Sequence, residues 1–112
     1  MRQLTLNFAC GSVSFNFTPE AAAELKGEID RLMERLKVIA AQPVGKGRKT
    51  PQESMEYRDN GEVFLEVFCN PNISATPFAA KVLVTVKSDR LRVSTEMELT
   101  RVIEDLATYL EQ

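Results

Sequence analysis

The stretch Gln3-Leu4-Thr5-Leu6-Asn7-Phe8-Ala9-Cys10-Gly11-Ser12-Val13-Ser14-Phe15-Asn16-Phe17 decides the fold class. Leu4, Leu6 and Phe8 alternate with polar residues, Val13, Phe15 and Phe17 do the same, and Cys10-Gly11 separates the runs. A period of two belongs to a half-buried strand, and two such runs around a glycine predict an antiparallel hairpin. A two-residue loop at Cys10-Gly11 sets Phe8 opposite Val13, Leu6 opposite Phe15 and Leu4 opposite Phe17, so the apolar side chains share one face. The other face takes Asn7 with Ser14 and Thr5 with Asn16. One face of this hairpin therefore needs a cover.

The residues that follow supply one. Thr18 offers an N-cap oxygen, Pro19 suits the first helical position, and Glu20 complements the positive end of a helix. Leu25, Ile29, Leu32, Met33, Leu36 and Ile39 then recur at spacings that trace one apolar stripe. Gly27 interrupts the helix at a cost of about 1 kcal/mol relative to alanine, which predicts a segment passing close to it. Gln42-Pro43 ends the helix. Residues 42–53 combine glycines and prolines with no periodicity and predict a mobile loop that carries Lys46, Arg48 and Lys49.

A second hairpin is read around Asp59-Asn60-Gly61, taken as a three-residue loop with Gly61 in the left-handed position. That loop sets Tyr57 opposite Val63, Met55 opposite Leu65, and Arg58 opposite Glu62 as an ion pair, and leaves Phe64 and Phe68 on the second face. A third hairpin spans residues 78–95 and turns at Ser88-Asp89, with Val86 opposite Leu91 and Val84 opposite Val93. Its inward set is Val82, Val84, Val86, Leu91 and Val93. Outward go Lys81, Leu83, Thr85, Lys87, Arg90, Arg92 and Ser94, with Lys87 and Arg90 as like-charged neighbours. Thr95-Glu96-Met97-Glu98 reads as a capping box, followed by the stripe Leu99, Val102, Ile103, Leu106 and Leu110. The expected class is α+β in the order ββ-α-ββ-ββ-α. It is a single domain, residues 1–112, with a mostly antiparallel sheet from three hairpins and two amphipathic helices on one face.

Composition narrows the function. At 112 residues, 44% hydrophobic and 27% charged, the chain fits one soluble globular domain. Its longest apolar runs are broken by charges, which predicts no membrane-spanning helix, and the alternating residues 1–8 predict no export signal. Two cysteines without a secretory signal suggest a reducing, cytoplasmic setting with free thiols, in which the sequons at Asn16 and Asn72 have no role. The chain contains no histidine, so Ser-His and Cys-His nucleophile pairs and histidine-based metal sites are excluded. Cys10 and Cys69 lack zinc-site spacing, and Gly45-Lys46-Gly47 lacks the rest of a phosphate-binding loop. No catalytic residue, metal or cofactor is expected. Cys69 reads as a buried small hydrophobe and Cys10 as a turn residue.

The net charge of −2 hides a mildly basic middle and an acidic C-terminal segment. Tight nonspecific nucleic-acid binding relies on many phosphate contacts, which argues for a protein partner. The candidate binding residues are Lys81, Lys87, Arg90 and Arg92 on the third hairpin, Lys46, Arg48 and Lys49 in the loop, and Phe64 and Phe68 on the second hairpin. The resulting expectation is a non-enzymatic protein–protein interaction module, with a second copy of the chain among its candidate partners. The alternative is a single-stranded nucleic-acid-binding domain that uses the basic outer face of residues 78–95. Residues 54–112, read as four antiparallel strands and a helix, resemble in topology the dimeric transcriptional coactivators that bind single-stranded DNA. The resemblance spans about half the chain, uses no sequence motif, and is what names the nucleic-acid alternative.

Overall fold

The computed structural model describes residues 2–42, 51–73 and 76–112. It is α+β, with two helices and two antiparallel sheets. The first hairpin pairs β1 (Gln3–Phe8) with β2 (Gly11–Asn16) as a sheet of its own. Its loop is Ala9-Cys10, not Cys10-Gly11, so Leu4 faces Phe15 and Leu6 faces Val13. The difference is two residues, which leaves every side chain on the face expected of it. What selects this register is the next element: the expected pairing would hold Thr18 opposite Gln3, whereas here Phe17 N–H bonds Arg2 C=O at 3.1 Å and Thr18 is free to cap. Thr5 and Ser14, now opposite, share a hydroxyl hydrogen bond of 2.7 Å.

Helix α1 (Pro19–Ala40) begins as its sequence dictates, with Thr18 Oγ1 accepting from Ala21 N–H at 3.1 Å and Pro19 in the first turn. Leu25, Ile29, Leu32, Leu36 and Ile39 are buried, joined by Ala21 and Ala22, and Met33 is half-buried. Among the described residues no segment crowds Gly27, contrary to the sequence reading: a Cβ placed there meets only Arg31 Nη1, at 4.0 Å. Gly27→Ala is therefore expected to stabilise the protein by about 1 kcal/mol, read as a higher urea midpoint at unchanged slope.

Strands β3 (Met55–Asn60), β4 (Phe64–Cys69), β5 (Lys81–Lys87) and β6 (Arg92–Glu98) form the second sheet in that order. The β3–β4 loop is Gly61–Val63, so Tyr57 faces Val67, Met55 faces Cys69, and Arg58 pairs with Glu66 instead of Glu62. Gly61 does not take the left-handed backbone expected of it. The observed register gives every residue of β4 a partner on β3, whereas the tighter turn would strand its last residues. Glu62 instead accepts from Asn16 Nδ2 at 3.2 Å.

The third hairpin also closes differently. Residues 88–91 form its loop, with Ser88 N–H bonded to Leu91 C=O at 2.8 Å, and Val86 faces Val93. Leu91 is thereby 59% exposed and outside the core. Thr95 is not a helix cap: it is a strand residue opposite Val84, and β6 runs on to Glu98. Leu99 N–H bonds Ala80 C=O at 3.0 Å, which carries the β5–β6 ladder to the first residue of α2 (Leu99–Leu110). Strand pairing has consumed the capping box, and Glu98 caps by position without a side-chain hydrogen bond.

Helix α2 buries Leu99, Val102, Leu106 and Tyr109, while Ile103, expected in the stripe, is exposed and Leu110 is half-buried. It lies against β1 and the end of β6, and α1 lies against β3. Apart from Ile39, the buried apolar side chains of both helices, the first hairpin and one face of the large sheet form a single core. Tyr57 ties α1 to that sheet through its hydroxyl, which donates to Ala21 C=O at 3.0 Å. Burial first, then the charges of Asp59 and Glu24, hold this phenol well above the usual tyrosine range. A raised native value keeps its stability below the unfolded value near pH 10 and loses it as pH rises further. Stability is expected to fall by about 1.4 kcal/mol per pH unit above pH 10 on account of this group, a share that Tyr57→Phe removes in urea titrations across that range.

Candidate interaction surface

Alternation along four strands leaves one face of the large sheet turned away from the core, and the registers set its side chains in rows. The row nearest the β5–β6 loop is Asn60, Phe64, Lys87 and Arg92. Lys87 Nζ lies 5.0 Å from the Phe64 ring centroid, a cation–π contact that holds the aromatic flat beneath a charge. Lys87 and Arg92 are directly opposite, a like-charge pair that costs on the order of 0.2–1 kcal/mol.

The next row is neutral by internal pairing. Arg58 binds Glu66 across the strands, which raises the guanidinium value further, and Thr85 and Ser94 share a hydroxyl hydrogen bond of 3.2 Å. The third row is Glu56, Phe68, Leu83 and Glu96: an apolar centre between two carboxylates, with Leu83 44% exposed. Beyond it Lys81 faces Glu98.

Of the residues singled out from sequence, the fold brings Phe64, Lys87 and Arg92 together and sets Phe68 on the same face of the same strand. Arg90 is not among them. It sits exposed in the 88–91 loop, so the like-charged neighbour of Lys87 is Arg92. Lys81 is separated from Lys87 by the length of β5, roughly 20 Å, and neighbours a carboxylate. Lys46, Arg48 and Lys49 lie outside the described residues, as does most of the 42–53 segment. Its described end is held: Gln52 N–H donates to Asn72 Oδ1 at 2.7 Å, and Arg35 Nη1 donates to Glu53 C=O at 3.1 Å.

The continuous basic stripe thus resolves into a patterned face. Its cations, Arg58, Lys81, Lys87 and Arg92, are equalled in number by its carboxylates, Glu56, Glu66, Glu96 and Glu98. Leu83 is the residue the sequence reading left out of the site. Its signal was present, since alternation already turned a large apolar side chain outward among charges.

Elsewhere, a cleft of about 420 Å³ lies between the tip of the first hairpin and the start of α2, lined by Phe8, Ala9, Lys81, Met97, Glu98 and Arg101 among others. It mixes both charge signs around a partly apolar floor and holds no thiol, hydroxyl nucleophile or histidine. Among the described residues no group of histidine, cysteine, aspartate or glutamate has the geometry to hold a metal ion. Cys10 is exposed and Cys69 buried. Burial pushes the Cys69 thiol up against a smaller opposing effect of Arg35, which keeps it in its unreactive form. No described helix is long and apolar enough to cross a membrane.

No family model, curated protein or solved structure matches this chain. The likeness of residues 54–112 to single-stranded-DNA-binding coactivators accordingly rests on strand order alone.

Proposed function

We propose that the protein is a non-catalytic protein–protein interaction module whose docking surface is the outer face of the four-stranded sheet. The observation that carries this reading is the balance of that face: Phe64, Phe68 and Leu83 on its two central strands, the self-paired Arg58 and Glu66 between the aromatics, and cations and carboxylates in equal number. Protein interfaces mix apolar contacts with satisfied polar groups in this way. A nucleic-acid platform needs a face that is net positive, because its affinity comes from neutralising phosphates. The absence of histidine from the sequence and the inert Cys69 thiol favour binding over catalysis. A cytoplasmic setting goes with two free thiols.

The test is a photo-crosslinking residue at position 83, with the same group at Val38 of α1 as an exposed control. Protein adducts from position 83 alone, formed in the native host, are the expected result. Nucleic-acid adducts would transfer the assignment to the alternative, a single-stranded nucleic-acid-binding domain. Equal labelling at both positions would remove the face from consideration.

A further inference from the structure

The charges of the outer face are arranged in a way that specifies an occupant. The row at the β5–β6 loop carries Lys87 and Arg92, the Arg58–Glu66 row is neutral, and the row beyond it carries Glu56 and Glu96. Positive and negative rows are four residues apart along the strands, about 13 Å. Among the described residues none of these four charges belongs to an ion pair within the chain, whereas Arg58 and Glu66, between them, do. Lys81 and Glu98, beyond these rows, face one another, so the two rows carry two unpaired cations on one side of the neutral row and two unpaired carboxylates on the other.

We infer that this face binds a second copy of itself, as a two-fold dimer in which the strands of the two sheets run antiparallel across the interface. This rests on the protein-binding reading above and names its partner. A self-complementary dimer uses one patch twice, with residue i of one copy meeting residue j of the other and the reverse. Here the two-fold axis lies between the sheets and runs across the strands at the level of Glu66 and Thr85. That axis lays one row over the other twice, with Arg92 over Glu96 of the partner subunit, Phe64 over Phe68 of the partner subunit, Lys87 over Leu83 of the partner subunit beside that Glu96, and Asn60 over Glu56 of the partner subunit. A two-fold axis along the strands is excluded by the same charges, since it would set cation row on cation row and carboxylate row on carboxylate row.

The aromatics then close in two pairs, one on each side of the polar row, with Leu83 against the stem of Lys87 of the partner subunit. Sheets pack face to face in this way at about 10 Å, their strands inclined by roughly 30°. A face of four strands by seven residues measures roughly 20 by 20 Å. Two of them bury roughly 800–1,000 Å² in all, the size of a weak, transient interface. The association is accordingly reversible and depends on the charged rows for its register.

Light scattering coupled to size exclusion tests this. The wild-type chain of 12.6 kDa is expected to approach twice that mass at about 0.5 mM and to dissociate on dilution. Lys87→Glu with Arg92→Glu makes both charged rows negative, and Glu56→Lys with Glu96→Lys makes both positive. Neither variant breaks an ion pair of the folded chain, and far-UV circular dichroism checks the fold of each. Each alone is expected to lose self-association by at least tenfold in Kd, and an equimolar mixture of the two to regain it as a heterodimer. A wild-type mass of 12.6 kDa at 0.5 mM overturns the dimer, as does either variant dimerising as the wild type does. A monomeric wild type whose position 83 still crosslinks to other proteins would overturn the dimer and keep the protein-binding reading. Nucleic-acid adducts at position 83 would remove both.

Discussion

Tyr109→Ala is expected to cost about 4 kcal/mol, a large part of the total stability of a domain this size. Tyr109 is 1% exposed and lies at the meeting point of the last helix and the first hairpin. Its ring packs edge-on to Phe17, with centroids 6.0 Å apart, and its hydroxyl donates to Phe17 C=O. From the solvent side the Arg2 guanidinium covers the ring at 4.9 Å from its centroid and donates to Tyr109 C=O at 3.2 Å. Truncation would open a cavity, orphan the Phe17 carbonyl and release α2 from β2 together. Tyr109→Phe separates these effects. It keeps the packing and removes the hydrogen bond, for an expected loss of about 1–2 kcal/mol. Urea titrations of the two variants measure both quantities, and a Tyr109→Ala unfolding free energy within about 1 kcal/mol of that of Tyr109→Phe would show that the ring is not a packing anchor.

The hairpins show which part of this fold was legible. In all three the loop sits elsewhere than the turn residues suggest, and in all three the displacement is by an even number of residues. A period of two determines which face a side chain occupies, and every register of the same parity satisfies it equally. Faces were therefore readable from Leu4, Tyr57 or Val84 alone. Registers were not, because they are chosen by distant partners: Thr18 leaving the strand to cap α1, β4 needing neighbours on both sides, and Ala80 meeting Leu99.

The candidate surface inherits this division. Phe64, Phe68, Lys87 and Arg92 share the face assigned to them, yet their neighbours differ, and the neighbours decide the chemistry. Pairing Lys87 with Arg90 suggested a basic stripe continuing past the loop. Pairing it with Arg92, and placing Glu56 and Glu96 in the row beyond Arg58 and Glu66, turns the stripe into one half of a charge pattern. Thr95 shows the same competition inside one segment. Its capping-box spacing is a local signal worth about 1 kcal/mol, and a paired strand running from Arg92 to Glu98 outweighs it.

Asp105 lies beyond any periodic reading, because its partner is 98 residues away. It sits on the inward side of α2, 7% exposed, where an apolar residue is the norm. Its Oδ2 accepts from Asn7 N–H at 2.8 Å and its Oδ1 from Asn7 Nδ2 at 2.8 Å. On the first strand the even-numbered residues are the ones that face a hydrogen-bonded partner, as Arg2 C=O accepts from Phe17 N–H just beyond the ladder, so Asn7 turns its N–H to the strand's other edge. Asp105 satisfies that edge and so docks α2 on β1. Asp105→Ala leaves the amide without a partner and is expected to cost about 2 kcal/mol, the range of hydrogen bonds to a charged acceptor. Asp105→Asn retains one acceptor oxygen for the backbone N–H and is expected to cost about half as much. The hydrogen-exchange rate of the Asn7 amide is the direct readout. It should rise in Asp105→Ala well beyond what the global loss of stability produces and remain near wild type in Asp105→Asn. An Asn7 amide that exchanges at the wild-type rate in Asp105→Ala would mean that water replaces the carboxylate and that the α2–β1 joint is held by its apolar contacts alone.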